Sequence, residues 1–259
     1  MTKLAANLSM LFTEHSFLDR FGAAAQAGFE GVEFLFPYAF EAKQIADQLQ
    51  EHRLQLVLHN LPAGHFDAGE RGIACHPDRV DEFRDGVEQA IHYAEALGVT
   101  QLNCLVGIRP VNVDEATVRT TLVDNLRFAA DALEKRSIRL LIEPINTFDV
   151  PGFWLTRTQQ AVDLIRDTGS NNIFLQYDIY HMQRMEGELA ATIRNNLGLI
   201  KHVQIADNPG RFEPGTGEID YRFLLRHLDD ISYDGWIGCE YKPRAGTLEG
   251  LGWRAQHGL

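Results

Sequence analysis

The sequence is poor in cysteine, with three residues of this type, Cys75, Cys104 and Cys239, among 259. An odd number of cysteines without close spacing does not form a disulfide framework, so we expect free thiols in a reduced, cytoplasmic compartment. Long apolar runs are also missing, since no stretch reaches the about 18 residues that identify a transmembrane helix. Residues 1–10 become polar too early for a signal peptide. These absences disfavour a secreted or membrane-spanning protein and predict a soluble, unprocessed one.

Positive charge is in deficit as well. Lysine and arginine number 24 against 36 aspartates and glutamates, which gives a formal net charge of −12, and no basic run interrupts the chain. This balance opposes binding to nucleic acid or to an anionic membrane surface. A small anionic substrate is still compatible with it, because a local arginine, lysine or metal ion can dominate the field of a site. We therefore expect a small-molecule partner, with no nucleic acid and no membrane.

What the sequence does contain is a regular alternation of short apolar strands and amphipathic helices. The predicted strands are 4–7, 31–34, 54–59, 101–106, 139–143, 173–178, 200–206 and 236–241. The predicted helices are 16–27, 42–52, 80–97, 115–135, 158–168, 188–197 and 221–231. Strands separated by helices indicate parallel βα units. With 45% hydrophobic residues, residues 1–259 are expected to form one α/β domain, a (β/α)8 TIM barrel.

The alternative is an open, doubly wound sheet. Such a fold often carries a glycine-rich phosphate-binding motif after its first strand, but Asn7, Leu8, Ser9 and Met10 stand at that place. The long polar loop at 60–78 is a further departure from a minimal fold. Loops of this length inside a compact domain are usually functional.

Four successive predicted strands, the fifth to the eighth, end on oxygen-bearing side chains: Glu143, Asp178, Gln204 and Glu240. In a TIM barrel the carboxyl ends of the strands form the active site. Any one such carboxylate alone could be a solvated loop residue or a helix cap. Three carboxylates that converge repel each other unless a cation or protons neutralise them, and with an amide oxygen they suit Mg²⁺ or Mn²⁺ better than zinc. The pattern predicts a site for one divalent cation.

Other polar residues near these strand ends have two interpretations each. His181 follows Asp178 by three positions and either reaches a ligand or lies at the surface. His202 shares a strand face with Gln204, so it either orients that side chain or lines the barrel. Arg211 and Lys242 either bind a substrate carboxylate or are solvated cations. We favour Lys242 for the carboxylate, because two residues along a strand from Glu240 return to the same face.

The sequence resembles the hydroxypyruvate isomerase family, which belongs to the xylose-isomerase-like barrels. The resemblance covers about residues 5–253 and is carried by segments such as Gly69-Glu70-Arg71-Gly72 and Tyr177-Asp178-Ile179-Tyr180. The other segments that carry it are 7–12, 31–38, 59–64, 142–146, 181–183 and 238–243. Other xylose-isomerase-like barrels often have histidine at the position of Gln204. The glutamine therefore favours the hydroxypyruvate isomerase family over those relatives.

The resemblance implies a metal-dependent aldose-ketose isomerase of glyoxylate metabolism that interconverts hydroxypyruvate and tartronate semialdehyde through an enediolate. It implies that one divalent cation, Mg²⁺ or Mn²⁺, binds to the four strand-end residues. Glu143 and Glu240 would also serve as proton donor and acceptor. The substrate contacts that we expect are His181, Arg211, Lys242, His59, Glu70 and Arg71. We also expect a homo-oligomer.

Other functions remain open within and outside this class. The nearest is an isomerase of a four-carbon 2-oxo acid, 2-dehydrotetronate, and a ketose 3-epimerase is a further one. An apurinic endonuclease on the same barrel would need three metal ions, more histidine ligands and a basic groove, which the net charge of −12 disfavours. A non-catalytic binding barrel is a further alternative, but it would have no use for a complete set of predicted metal ligands.

Overall fold

The computed structural model describes residues 2–256 and shows a closed barrel of eight strands, each hydrogen-bonded to its neighbours in chain order. All strand pairs are parallel, and β8 returns to pair with β1. The strands are β1 Lys3–Asn7, β2 Gly31–Glu33, β3 Gln55–Asn60, β4 Gln101–Cys104, β5 Arg139–Ile142, β6 Ile173–Asp178, β7 Ile200–Ile205 and β8 Trp236–Cys239. The predicted barrel is confirmed. Of the single domain expected over 1–259, residues 1 and 257–259 lie outside the described part.

Helices follow the strands and pack around the barrel. They are α1 Asp19–Gln26, α2 Ala42–His52, α3 Val80–Leu97, α4 Glu115–Glu134, α5 Thr158–Thr168, α6 Ile179–Met185, α7 Leu189–Asn195, α8 Tyr221–Asp230, α9 Thr247–Gly250 and α10 Trp253–Gln256. Two of their ends show ordinary caps: the Asp114 side chain accepts the Thr117 amide at the start of α4, and Gly98 ends α3 with φ +68°. Within residues 2–256, none of these helices is both long and apolar enough to traverse a bilayer.

The core has two parts. Most buried apolar side chains lie between the strands and the helices, whereas Ala5, Val57, Leu58 and Leu141 form a small separate cluster. These four residues come from β1, β3 and β5, and polar side chains at the strand ends follow them along the chain. An apolar layer therefore closes the barrel interior beneath a polar upper layer.

The chain at the ends of β8 and β6 differs from prediction in a way that affects the site. β8 ends at Cys239 instead of 241, so the period-two rule that related Lys242 to Glu240 does not apply beyond that point. After β6 the chain enters α6 at once instead of a loop. The Asp178 side chain caps this helix, since its Oδ1 accepts the amides of Tyr180 at 2.7 Å and His181 at 3.3 Å. His181 is thereby held in the first helical turn, close to Asp178.

The long loop predicted at 60–78 contains a 3₁₀ helix, Phe66–Ala68, and folds back against the segment after β4. The contact is close at Gly72, which has φ +106° and lies so near the Leu105 carbonyl that a Cβ would collide with it. Glycine is therefore required at this position. The packing brings Phe66 and Arg71 to the rim of the barrel mouth.

Candidate active site

Three carboxylates converge at the carboxyl ends of β5, β6 and β8. Glu143, Asp178 and Glu240 are only 4%, 1% and 6% exposed. Arg211 lies between two of them, with Nη2 3.0 Å from Glu240 Oε2 and 3.4 Å from Asp178 Oδ2. Three buried acids and one guanidinium leave an excess of negative charge that protons or another cation must balance.

The pKa values of these acids reflect that excess. Burial raises the pKa of Glu143 well above its usual range, and the charges of Glu240 and Asp178 act in the same direction. Burial raises the pKa of Glu240 to about 8, although Arg211 opposes the shift. Burial also raises the pKa of Asp178. A carboxyl group with a pKa near neutrality is suited to both accept and return a proton.

His181 completes the group. Its Nε2 lies 3.6 Å from Asp178 Oδ2 and 3.9 Å from Glu143 Oε1, and the residue is 2% exposed. Burial, with the nearby charges of Arg211 and Arg184, lowers the pKa of His181 well below its usual value, so the ring is neutral at physiological pH. Ligand atoms of Glu143, Asp178 and His181 all lie within 4.8 Å of one another. This buried group could hold a metal ion, and its excess negative charge fits a cation.

Gln204 connects to the same acids through a second glutamine. Its Oε1 accepts a hydrogen bond from Gln176 Nε2 at 2.7 Å, and Gln176 Nε2 also donates to Glu143 Oε2 at 2.9 Å. Asn103 Nδ2 donates to the same Glu143 oxygen at 3.1 Å. Glu143 is therefore held by two amides from β4 and β6, and Gln204 by a neighbour on the adjacent strand.

A buried carboxylate that the sequence interpretation overlooked lies beneath Gln204. Glu33 Oε1 accepts hydrogen bonds from Gln204 at 2.8 Å and from Asn7 at 2.9 Å, and Glu33 Oε2 lies 2.5 Å from His202 Nε2. A Cβ at Gly238 would collide with this carboxylate. Because Gln204 Nε2 donates to Glu33, the Gln204 Oε1 faces away from this carboxylate and toward Gln176.

The sequence contained a signal for Glu33 and its neighbours, since polar residues also end the first three strands. Asn7, Glu33 and Asn60 end β1, β2 and β3, as Asp178 ends β6. The prediction considered polar strand ends only in the second half of the chain. The structure also decides between the two interpretations of His202. The residue lines the barrel interior, where it is fully buried, and its Nε2 contacts Glu33.

Many of these side chains line a cavity of about 100 Å³ at the barrel mouth, but the predicted ligand Asp178 is not part of the lining. Among the predicted site residues, Glu143, Gln204, Glu240, His181, Arg211 and Arg71 line it. Apolar walls come from Phe34, Leu35, Phe66, Leu105 and Ile145. The volume is below the ~300 Å³ at the lower end of pockets for drug-sized ligands, so the cavity is suited to a small polar metabolite.

Three of the expected substrate contacts lie outside the cavity lining. The His59 ring stacks against Phe34, its Nδ1 lies 3.0 Å from the Asn60 carbonyl, and burial lowers its pKa to about 4. Glu70 accepts hydrogen bonds from Arg79 and from the His65 amide, which anchors the long loop. The Lys242 side chain is exposed, while its backbone amide donates to the Arg211 carbonyl at 2.8 Å. The structure thus places Arg211, and not Lys242, beside the acids.

The barrel and its buried acidic site define a xylose isomerase-like TIM barrel, and the model of that family matches residues 21–257. Hydroxypyruvate isomerase of Escherichia coli K12 is 56% identical over 98% of both chains. The 2-oxo-tetronate isomerase of Cupriavidus necator is 44% identical over 98% of this chain and 97% of its own length. A crystal structure described as AP endonuclease, family 2, from Brucella melitensis is 45% identical, with a TM-score of 0.96 over 99% of both chains. This chain belongs to the hydroxypyruvate isomerase family, as the sequence motifs indicated.

Proposed function

We propose that this protein is an aldose-ketose isomerase that interconverts hydroxypyruvate and tartronate semialdehyde. The observation that carries the proposal is the small cavity lined by two buried glutamates, Glu143 and Glu240, beside Arg211. The identity of 56% to a hydroxypyruvate isomerase supports the substrate class. A reduced cytoplasmic location and a place in glyoxylate metabolism accord with this proposal.

The reaction moves one proton between two adjacent carbons. A base removes a proton from C3 of hydroxypyruvate, which leaves an enediolate; the hydroxyl proton passes from O3 to O2, and an acid protonates C2. Glu143 and Glu240 follow β5 and β8, on opposite sides of Asp178 and Gln204 in the ring of strands. Both carboxyl groups line the cavity, so each can reach a carbon of a small bound substrate. We assign them the two proton transfers at carbon.

A divalent cation, Mg²⁺ or Mn²⁺, would supply the positive charge that stabilises the negative oxygens of the enediolate. Glu143, Asp178, Gln204 and Glu240 would hold it, because hard cations prefer carboxylate and amide oxygens. The support from Gln176 and Asn103 keeps the Glu143 carboxylate fixed toward the cavity. The apolar walls, Phe34 and Phe66 among them, limit access of water to the reacting carbons.

Binding of the substrate carboxylate falls to Arg211, with Arg71 on the opposite loop. Arg211 carries a permanent charge, since the acids around it raise its pKa although burial opposes this. Arg71 is fixed at the rim by the carbonyls of Phe66 and Glu70, at 2.9 and 2.7 Å, and by the Phe66 ring, 4.0 Å from its guanidinium carbon. Two cations at the cavity explain why a protein of net charge −12 can accept an anionic substrate.

The deciding experiment is an activity screen of purified protein, loaded with Mg²⁺ or Mn²⁺, against hydroxypyruvate, 2-dehydrotetronate and common ketoses. We expect turnover of hydroxypyruvate and its loss after exhaustive chelation. Preference for 2-dehydrotetronate would instead assign to this protein the 2-oxo-tetronate isomerase activity for which its 44% identical relative is named. Turnover of ketoses alone, or full activity without metal, would contradict the proposal.

Arg211→Lys is expected to raise KM for hydroxypyruvate by about tenfold or more, because a hydrogen bond between charged groups contributes about 1.5–3 kcal/mol. Lys keeps the charge but cannot form the paired hydrogen bonds of a guanidinium. Lys242→Met should have a smaller effect, since the Lys242 side chain is exposed. Steady-state kinetics of both variants measure the difference. A larger KM effect at Lys242 would restore the assignment made from sequence.

A further inference from the structure

The ring of His181 lies between hydrogen-bond donors on one side and acceptors on the other. At its Nδ1 are two donors from one residue, the Asn146 side-chain Nδ2 at 2.6 Å and the Asn146 backbone amide at 3.4 Å. At its Nε2 are two carboxylates, Asp178 at 3.6 Å and Glu143 at 3.9 Å. A neutral imidazole carries its proton on one nitrogen only, and its partners decide which.

The orientation of the Asn146 amide is fixed independently of the histidine. Asn146 Oδ1 accepts the backbone amides of Asp149 at 2.9 Å and Phe148 at 3.1 Å, and Nδ2 donates to Asp149 Oδ2 at 3.1 Å. A flipped amide would place Nδ2 against two amide donors and Oδ1 against a carboxylate. The amide nitrogen must therefore be the group that faces His181 Nδ1.

Asp149 is itself held in place. Its Oδ2 accepts the Tyr180 hydroxyl at 2.9 Å, and its Oδ1 lies 2.5 Å from Arg184 Nη1. Asn146 is fully buried and lies in the segment that follows β5, while His181 lies on α6. A network from two neighbouring βα units thus converges on one histidine nitrogen.

We propose that Asn146 is a positioning residue that fixes the tautomer of His181, keeping the proton on Nε2 so that the ring faces the cavity as a neutral hydrogen-bond donor. In this tautomer Nδ1 is an acceptor bound to Asn146, and Nε2 has no lone pair for a metal ion, so within the group Glu143, Asp178 and His181 only the two carboxylates would bind one. His181 then donates to a substrate oxygen, and the cation is left to the oxygen ligands. The role at the substrate rests on the proposed isomerase function, whereas the tautomer does not.

The tautomer is measured directly on the metal-free, substrate-free protein by long-range ¹H–¹⁵N correlation spectra with ¹⁵N-labelled histidine, and His181→Ala assigns the signals. We expect a pyridine-type shift for Nδ1 and a pyrrole-type shift for Nε2. A pyrrole-type Nδ1 would overturn the proposal. Because no substrate is present, a wrong substrate class leaves this result unchanged.

Two variants test whether Asn146 is the cause. Asn146→Asp has the same shape but presents an acceptor, so the proton should move to Nδ1. Asn146→Ala removes the side-chain donor, so the two tautomers should mix; it serves if the Asp variant does not fold. Asp149→Asn is the matched control and should keep the wild-type tautomer, because two backbone amides still hold the Asn146 oxygen. A wild-type spectrum in Asn146→Ala, or a changed one in Asp149→Asn, would refute the assignment.

The same variants separate positioning from simple structural support. In Asn146→Asp, kcat/KM should fall about 10–100-fold, the usual effect of a lost partner of a site residue. Affinity for Zn²⁺ relative to Mg²⁺, measured by calorimetry, should rise, because a free Nε2 lone pair adds a nitrogen ligand beside two carboxylates. An unchanged metal preference together with an unchanged tautomer would leave Asn146 as packing alone and contradict the proposal.

Discussion

Glu143→Gln and Glu240→Gln are each expected to reduce turnover by about 10²-fold or more, the size of a lost general acid or base. Glutamine preserves the shape and one oxygen ligand of each residue, so metal affinity should fall only moderately. The expectation follows from the position of both carboxyl groups at the cavity. The measurements are kcat with hydroxypyruvate and metal affinity by calorimetry.

Solvent exchange separates the roles of the two glutamates. In heavy water the wild-type enzyme should incorporate deuterium at the product carbon, whereas a variant without the abstracting base should show neither exchange nor product. Glu51→Gln, on the exposed face of α2, is the matched control and should keep wild-type kinetics. A Glu143 or Glu240 variant that binds metal and isomerises at a near wild-type rate would remove that residue from the proton transfer.

The metal-free protein is expected to lose stability as the pH rises from about 6.5 to about 8, above the range in which the lowered pKa values of His59 and His181 act in the opposite direction. The pKa of Glu240 is raised from 4.5 to about 8, so in this interval the folded state binds more protons than the unfolded state. The stability of the folded state then falls with increasing pH, because ionisation is easier in the unfolded chain. Glu143 acts in the same direction. The loss should lower Tm by on the order of 5 °C.

A bound divalent cation should reverse this dependence, because it favours the ionised carboxylates. The Tm increase on addition of Mn²⁺ should therefore grow between about pH 5 and pH 8. Glu240→Gln should flatten the profile of the metal-free protein, whereas Glu51→Gln should leave it unchanged. Thermal unfolding in chelator and in excess Mn²⁺ measures both profiles. A metal-free Tm that rises between about pH 6.5 and pH 8 would show that the acids are not destabilised by burial.

The sequence predicted the barrel because hydrophobic alternation and helix signals are local properties. All eight strands lie where the apolar patterns stand, with ends shifted by one or two residues in several cases. The same patterns placed Glu143, Asp178, Gln204 and Glu240 at successive strand ends. In the structure, Glu143 and Glu240 immediately follow their strands, and Gln204 lies one residue before the end of β7.

Features that depend on loop conformation or on contacts across the barrel were not predictable in this way. Strand periodicity favoured Lys242 for the substrate carboxylate, but β8 ends at Cys239 and the Lys242 side chain is exposed. Arg211 reaches the acids from a backbone position with φ +58°, which no apolar pattern encodes. The contact between Glu33 and His202 joins residues 169 positions apart. Such pairings follow from barrel closure, which brings β2 and β7 together across the interior.

Most of the apolar wall of the cavity comes from the first half of the chain, whereas the predicted ligands and proton carriers come from the second half. The predicted ligands and proton carriers lie at or directly after the ends of β5 to β8, whereas Phe34, Leu35, Phe66 and Arg71 belong to the segments after β2 and β3. The segments that shape the cavity can therefore change independently of the residues that carry out the proton transfer. Transplanting residues 61–79 from a relative with a longer substrate should change which molecules are admitted while the proton-transfer apparatus stays intact.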